Sequence, residues 1–151
     1  MMMITKKRAR TAALTLAAVA ALTFAGAGAA QAAPAVPLNG GQEAPTPNNF
    51  GAHGSFSYEI DDDLNQFCYT LVVKGLSAPA TAAHVHVAPR NTPGPVVIPL
   101  GVPSATDFSV SGCTTVADEA LLDAIAANPS AYYVNVHNAN NMPGEIRGQL
   151  K

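Results

Sequence analysis

Basic residues are scarce in this 151-residue sequence, which contains eight Lys and Arg against ten Asp and Glu. Four of the eight, Lys6, Lys7, Arg8 and Arg10, lie within the first ten residues. Beyond residue 32, four cations stand against all ten acids, a net charge of −6 with histidine neutral. Affinity for nucleic acid comes largely from cations that neutralise phosphates. The composition therefore argues against a nucleic-acid partner, and likewise against an anionic membrane surface.

Familiar catalytic motifs are missing as well. The sequence has no G-x-S-x-G nucleophile motif and no H-E-x-x-H zinc-protease motif. No glycine-rich loop precedes a helix pattern in the way that cradles phosphate. The acidic run at residues 61–63 lacks the spaced ligands and the glycine of an EF-hand loop, and it is interpreted as a hairpin turn. These absences favour a binding function over an enzyme.

The N-terminal segment has the pattern of a secretory signal peptide. Its basic residues are followed by an alanine-rich apolar run at 12–25 and by Ala30-Gln31-Ala32, an A-x-A cleavage signal. We expect residues 1–32 to be removed and residues 33–151 to form one secreted domain. A transmembrane anchor is the alternative, but threonines and glycines interrupt the run. No hydrophobic tail follows the last strand pattern, so we expect no membrane span in the mature chain.

The sequence contains only two cysteines, Cys68 and Cys113, and both lie in the predicted mature domain. An even count in an exported chain favours a disulfide, which the chain-entropy model values at ~4 kcal/mol for a loop of this length. Two thiol metal ligands are the alternative. Because Cys68 lies in a strand pattern far from the histidine motifs, we predict the disulfide.

Short segments of alternating polarity, separated by turns rich in Pro and Gly, make up most of the remaining chain. They are residues 36–38, 54–60, 67–73, 81–87, 96–98, 107–113, 132–138 and 145–150. Segments 54–73 predict one hairpin, and the Pro143-Gly144 turn predicts another between the last two segments. Residues 96–98 are flanked by prolines, which suits an edge strand. This pattern predicts an antiparallel sandwich or barrel.

One helix interrupts the strand pattern. Thr115 stands three residues before Asp118, the spacing of a capping box at a helix N-terminus. A stripe of apolar residues follows with helical spacing, formed by Ala117, Leu121, Leu122 and Ile125. We predict a single short helix that covers one end of the sheet.

Three histidines lie on two of the predicted strands. His84 and His86 are two residues apart on one, and His137 lies on the other. Side chains alternate between the faces of a strand, so His84 and His86 share a face, and His137 shares a face with Asn135. If the strands are neighbours, the three imidazoles meet, with the intervening valines in the core. Imidazole is a common ligand of copper and zinc. We therefore predict a metal site for one copper or zinc ion, formed by His84, His86 and His137.

Other interpretations of these residues stay open. The histidines can instead form a metal-free polar cluster that is hydrogen-bonded to Glu145 or Asn135. His53 is a candidate fourth ligand, and Met142, the only methionine beyond residue 32, carries a thioether that favours Cu(I). Glu145 and Arg147 alternate on the last strand and are interpreted as a surface ion pair, although Glu145 is also suited to orienting an imidazole.

Taken in order, several motifs resemble the CHRD domain, a module named after chordin and also found alone in secreted bacterial proteins. They are residues 38–45, 75–76, 82–86, 94–97, 133–137 and 143–150, of which the last, PGEIRGQL, is the most specific. The resemblance implies an immunoglobulin-like β-sandwich, similar in outline to copper-zinc superoxide dismutase, and an extracellular location. Chordin is an extracellular antagonist of a growth factor, so the resemblance makes an unknown extracellular protein a candidate partner. No settled activity is implied.

The predicted function is therefore a secreted binding module that holds one copper or zinc ion. A redox enzyme with one copper ion, similar to a dismutase, is an alternative. A two-metal dismutase is disfavoured because four histidines are too few. A metal-free structural or adhesive module is the third possibility.

Overall fold

The computed structural model describes residues 35–151 as eight strands, one α-helix and two short 3-10 helices. The predicted signal peptide lies outside these residues. The strands are β1 Val36–Asn39, β2 His53–Asp61, β3 Gln66–Lys74, β4 Ala80–Val87, β5 Val96–Leu100, β6 Phe108–Thr115, β7 Tyr132–Asn138 and β8 Ile146–Gln149. The helix, α1, spans Glu119–Ala127, and the 3-10 helices span Gly40–Gln42 and Pro129–Ala131. The predicted all-β class with one short helix is confirmed.

All eight strands belong to one antiparallel sheet with the order β5-β4-β7-β8-β1-β2-β3-β6. The sheet curls so that its two edge strands, β5 and β6, approach each other. Thr114 Oγ1 on β6 donates a hydrogen bond of 2.9 Å to the carbonyl of Pro99 on β5. The sheet is therefore nearly closed as a barrel. The edge position predicted for residues 96–98 is confirmed.

Alternation along the strands builds the core inside this curled sheet. The side chains with no exposed surface include Phe56, Phe67, Leu71, Val85, Ile98, Val134, Val136 and Ile146. Burying an aliphatic or aromatic side chain of this size stabilises the fold by ~1.5–3 kcal/mol each. The aromatic members stack, with the Phe56 and Phe67 ring centroids 6.2 Å apart. Val85, Val134 and Val136 therefore fill the core as the alternation predicted.

The two cysteines occupy directly opposite positions on β3 and β6, and their sulfurs are bonded. The predicted disulfide is confirmed. It joins the edge strand β6 to its single neighbour in the sheet.

The helix begins later than the capping-box spacing predicted. Asp118 is the N-cap residue, and its carboxylate accepts a hydrogen bond of 3.1 Å from the Ala120 N–H. Thr115 instead ends β6, where it pairs with Gln66 of β3. Strand pairing extends to Thr115, so the nearest side chain free to cap the helix is Asp118. The predicted stripe is correct for Leu122 and Ile125, which are buried in the core.

Within residues 35–151, no helix has the length and apolar character needed to cross a membrane.

Candidate metal centre

The three predicted metal-binding histidines lie on β4 and β7, which are neighbours in the sheet. In the register, His84 lies opposite Asn135, His86 opposite Tyr133, and His137 opposite Ala82. All of these side chains project from the face that is turned away from the core valines. We call His84, His86, Asn135 and His137 the histidine face.

One nitrogen from each imidazole lies within 4.8 Å of the other two. The closest pair is His84 Nδ1 and His137 Nε2, at 3.1 Å. The ring centroid of His86 lies 5.6 Å from that of His84 and 5.9 Å from that of His137. Around a tetrahedral ion with bonds of ~2.0–2.1 Å, ligand nitrogens stand about 3.4 Å apart. Shifts of about one ångström would bring all three nitrogens to that spacing, so the trio is a group that can hold one metal ion.

Backbone carbonyls orient two of the three rings. His86 Nδ1 lies 2.8 Å from the carbonyl oxygen of Gly94, and His137 Nδ1 lies 2.9 Å from that of Met142. A carbonyl only accepts, so we assign the proton of both neutral rings to Nδ1. Each Nε2 then carries a lone pair and no proton, which is the form of imidazole nitrogen that binds a metal. The Nε2 atom of His86 is buried and has no hydrogen-bond partner.

The surroundings of the trio keep its imidazoles neutral. Burial is the largest cause that lowers the pKa of each of the three histidines, because it disfavours the charged ring. For His84, the neighbouring rings of His137 and His86 lower the pKa further. For His86 and His137, hydrogen bonds to carbonyls partly oppose the shift. Protons therefore compete only weakly with a metal ion for these imidazole nitrogens near neutral pH.

The histidine face is turned away from the core, but a loop covers part of it. The loop formed by residues 88–95 joins β4 to β5, and Arg147 of β8 donates hydrogen bonds of 2.8 and 2.9 Å to its Thr92 and Pro89 carbonyls. The Arg147 guanidinium also lies over the Tyr133 ring, 3.3 Å from its centroid. His86 stacks on the same Tyr133, with centroids 4.7 Å apart. As a result, His86 is only 6% exposed, whereas His84 and His137 are half-buried.

The close approach of this loop depends on Gly94. A Cβ at that position would overlap the Val87 carbonyl oxygen. The contact lets the Gly94 carbonyl reach His86, while the Gly94 N–H donates a hydrogen bond of 3.2 Å to the Tyr133 hydroxyl. A side chain at residue 94 would push the loop off His86.

The predicted surface ion pair between Glu145 and Arg147 is wrong. Both side chains are buried, with 0% and 1% exposure, and their partners differ. Arg147 binds the loop carbonyls. The Glu145 carboxylate accepts hydrogen bonds from Asn49 Nδ2, Ser77 N and Oγ, and Asn138 Nδ2. We call Asn49, Ser77, Asn138 and Glu145 the polar cap. Because Glu145 precedes β8, its carboxylate meets the β3–β4 connection rather than a histidine.

The two candidate fourth ligands do not act as sequence reasoning suggested. His53 opens β2, which is three places from β7 in the sheet order, and it does not belong to the histidine group. Its Nδ1 lies 2.9 Å from the Gly51 carbonyl. Met142 exposes 73% of its surface, and its observed contribution is the backbone carbonyl that accepts from His137.

Sequence reasoning missed the role of two buried neighbours of the histidine face, Glu43 and Arg147. Glu43 is 4% exposed, and burial raises its pKa to about 7 in spite of the nearby Arg147 charge and the Asn135 amide, which lower it. Strand alternation did place Asn135 beside the histidines. No sequence signal pairs Glu43 with them, because it lies in an irregular loop far away along the chain.

Residues 35–150 match the model of one protein family, the CHRD domain. The chain belongs to the CHRD domain family. Comparison with curated proteins found no match, and comparison with solved structures found none. In this CHRD domain the motifs at 82–86, 133–137 and 143–150 lie side by side on β4, β7 and β8, where they form the histidine face and its surroundings.

Proposed function

We propose that this CHRD domain is an exported binding module that holds one copper or zinc ion through His84, His86 and His137. The observation that carries the proposal is the convergence of three imidazole nitrogens within 4.8 Å. Nitrogen donors of this kind suit copper and zinc. Neither cysteine among residues 35–151 is free to compete as a thiolate, because Cys68 and Cys113 are bonded to each other.

The orientation of the rings supports the same proposal. Carbonyl acceptors on the far nitrogen of a ligating histidine fix its tautomer and direction, and they raise its basicity as a ligand. His86 and His137 both have such acceptors, at 2.8 and 2.9 Å. Little ordering of side chains would accompany binding, which favours affinity.

Titration of the purified mature domain with zinc or copper chloride tests the proposal. We expect one equivalent to bind, and we expect the double variant His84→Ala with His137→Ala to weaken binding at least about 100-fold, since single supporting residues are already worth 10–100-fold. His53→Ala is the matched control, because it removes a histidine outside the group. If wild-type protein binds no ion, or the double variant binds as wild type does, the proposal fails.

A metal-free module is the second candidate, and one observation favours it. His84 Nδ1 and His137 Nε2 are 3.1 Å apart, a distance that a direct hydrogen bond explains without an ion. In that case His137→Ala would lower the free energy of unfolding by about 1 kcal/mol, and metal salts would leave the stability of wild-type protein unchanged.

Export is the second part of the proposal. The disulfide supports it, because such bonds persist in oxidising compartments, and residues 1–32 carry the signal pattern. We propose a mature domain of residues 33–151, so mass spectrometry of the exported protein should find Ala33 as its first residue.

We also propose kinship with the immunoglobulin-like and dismutase-like sandwiches, which an experimental structure would test by its strand connections.

A further inference from the structure

Four buried side-chain polar atoms among residues 35–151 have no hydrogen-bond partner. They are Glu43 Oε1, His86 Nε2, Asn135 Oδ1 and Arg147 Nε. All four belong to the histidine face or to the two buried residues beside it. Nearly all buried polar groups in folded proteins have partners, so a concentration of exceptions calls for a missing species.

Asn135 is the member whose direction is best defined. Its Nδ2 donates a hydrogen bond of 3.2 Å to the Pro143 carbonyl. The Glu43 carboxyl lies on the same side, because a Cβ added to Gly144 would overlap Glu43 Oε1 and lie 2.7 Å from Asn135 Nδ2. The Pro143 carbonyl can only accept. A rotated amide would place Oδ1 against that carbonyl, so Oδ1 is directed to the other side.

The other side of Asn135 is occupied by the histidines. Asn135 lies opposite His84 in the register, and two pairs further along the ladder, on the same face, is His86. With its proton on Nδ1, His86 presents a lone pair at Nε2, and Asn135 Oδ1 also presents only lone pairs. Two acceptors cannot hydrogen-bond to each other. A cation placed among them would satisfy both atoms.

We propose that Asn135 Oδ1 is the fourth donor to the ion, which completes a set of three imidazole nitrogens and one amide oxygen. The inference rests on the proposed function and extends it. An oxygen donor favours a divalent ion over Cu(I), which prefers sulfur. Four protein donors also fill a tetrahedral site, whereas catalytic zinc sites keep one position open for water or substrate. The site is therefore built to hold an ion and not to turn over a substrate.

The first test compares zinc affinities by competition with a coloured chelator. Asn135→Leu keeps the number and branching of the side-chain heavy atoms but removes the oxygen, and we expect it to weaken zinc binding at least about tenfold. Asn138→Leu is the matched control, since it makes the same substitution on the same strand at 0% exposure but faces the polar cap. We expect the folded control to keep wild-type affinity. Equal affinities for wild type and Asn135→Leu would overturn the inference.

The second test needs no variant and so does not depend on how well a variant folds. In wild-type protein labelled with carbon-13 and nitrogen-15, one equivalent of zinc should shift the Asn135 side-chain carbonyl and Nδ2 resonances, because coordination at Oδ1 polarises the amide. The same resonances of Asn138 should stay in place. An unmoved Asn135 signal at full zinc occupancy would refute the fourth donor.

These outcomes separate the inference from the function on which it rests. One outcome is that the double histidine variant loses zinc binding while Asn135→Leu keeps wild-type affinity and the Asn135 resonances do not shift. That result would support the three-histidine site and refute Asn135 as the fourth donor. If the double histidine variant binds zinc as wild type does, both proposals fall.

Discussion

The domain has two buried polar regions, and they differ in how completely their hydrogen bonds are made. In the polar cap, Glu145 is fully buried, and both oxygens of its carboxylate have donors from Ser77 and neighbouring asparagines. Around the histidine face, by contrast, Glu43, His86, Asn135 and Arg147 each retain one buried polar atom without a partner. Both regions flank β7, and both use residues of the 143–150 segment.

This difference separates a structural role from a binding role. A buried polar network whose members are all paired holds loops in place and needs nothing from outside. An incomplete network of similar burial costs stability until something binds. The polar cap fits the first description, since it joins the β3–β4 connection to the start of β8. The histidine face fits the second, and its three imidazoles form a group that could hold a metal ion.

The largest expected effect comes from breaking the polar cap. Glu145→Ala would remove the acceptor of hydrogen bonds from Asn49, Ser77 and Asn138, and it would leave a cavity at a fully buried position. We expect the free energy of unfolding to fall by ~3–5 kcal/mol, as measured by urea denaturation. Glu145→Gln keeps one acceptor oxygen and should lose less. A loss below 1 kcal/mol for Glu145→Ala would contradict a structural role.

Binding of zinc at the histidine face should have the next largest effect on the free energy of unfolding. An ion that binds only the folded state stabilises it by about 2.7 kcal/mol at 100 times its dissociation constant. We therefore expect zinc to raise the denaturation midpoint of wild-type protein, and His86→Ala to abolish the rise. The zinc response should survive in Glu145→Gln, because the polar cap does not touch the ion. An equal zinc response in His86→Ala would mean that the ion binds elsewhere.

The buried Glu43 carboxyl should make stability depend on pH. The carboxyl ionises near 4.3 in an unfolded chain, but its pKa is about 7 in the fold. Between these values the folded state holds a proton that the unfolded state has released. The free energy of unfolding therefore falls as pH rises through this window, and the full penalty applies above pH 7.

Glu43→Gln should remove that pH-dependent loss. We expect the variant to match wild type near pH 4 and to exceed its stability by about 1–3 kcal/mol at pH 8. Denaturation curves of the metal-free proteins at both pH values measure the difference. A variant that is less stable than wild type at pH 8 would show that the ionised carboxylate has a partner.

The smallest expected effect concerns Met142. Its side chain is mostly exposed, and only its backbone carbonyl contacts the site. We expect Met142→Ala to change stability by less than about 0.5 kcal/mol, as is usual for surface substitutions, and to leave zinc affinity unchanged. A clear loss of copper affinity in this variant would restore the thioether as a ligand.

Much of the fold was predictable because strands leave a strong local pattern. The period of two placed Val85, Val134 and Val136 in the core, and it placed the histidines on the opposite faces of their strands. The pairing of β4 with β7 then brings them together. The helix start was predicted wrongly at Thr115, because the pairing of that residue with Gln66 is a contact between distant strands. Local spacing carries no information about such a contact.

Of the candidate site, the sequence predicted the three histidine ligands but not the residues that bury them. Histidine is recognisable as a metal ligand from its chemistry alone, but burial depends on what covers a strand face. The loop at 88–95 makes His86 a buried residue, and it turns Arg147 from a predicted surface charge into a buried donor. Glu43 joins the site from a loop that is far away along the chain.

Patterns along the chain established the strand alternation, the family motifs and the shared face of His84 and His86, because strand period and motif spacing can be read without the fold. The pairing of β4 with β7, which brings His137 to the other two, and the partners of the buried polar atoms depend on the folded chain. Hydrogen bonds to Glu145 come from residues 49, 77 and 138, and the neighbours of Asn135 come from residues 43, 86 and 143. Such bonds are formed or withheld by long-range folding, and they distinguish the completed cap from the open site.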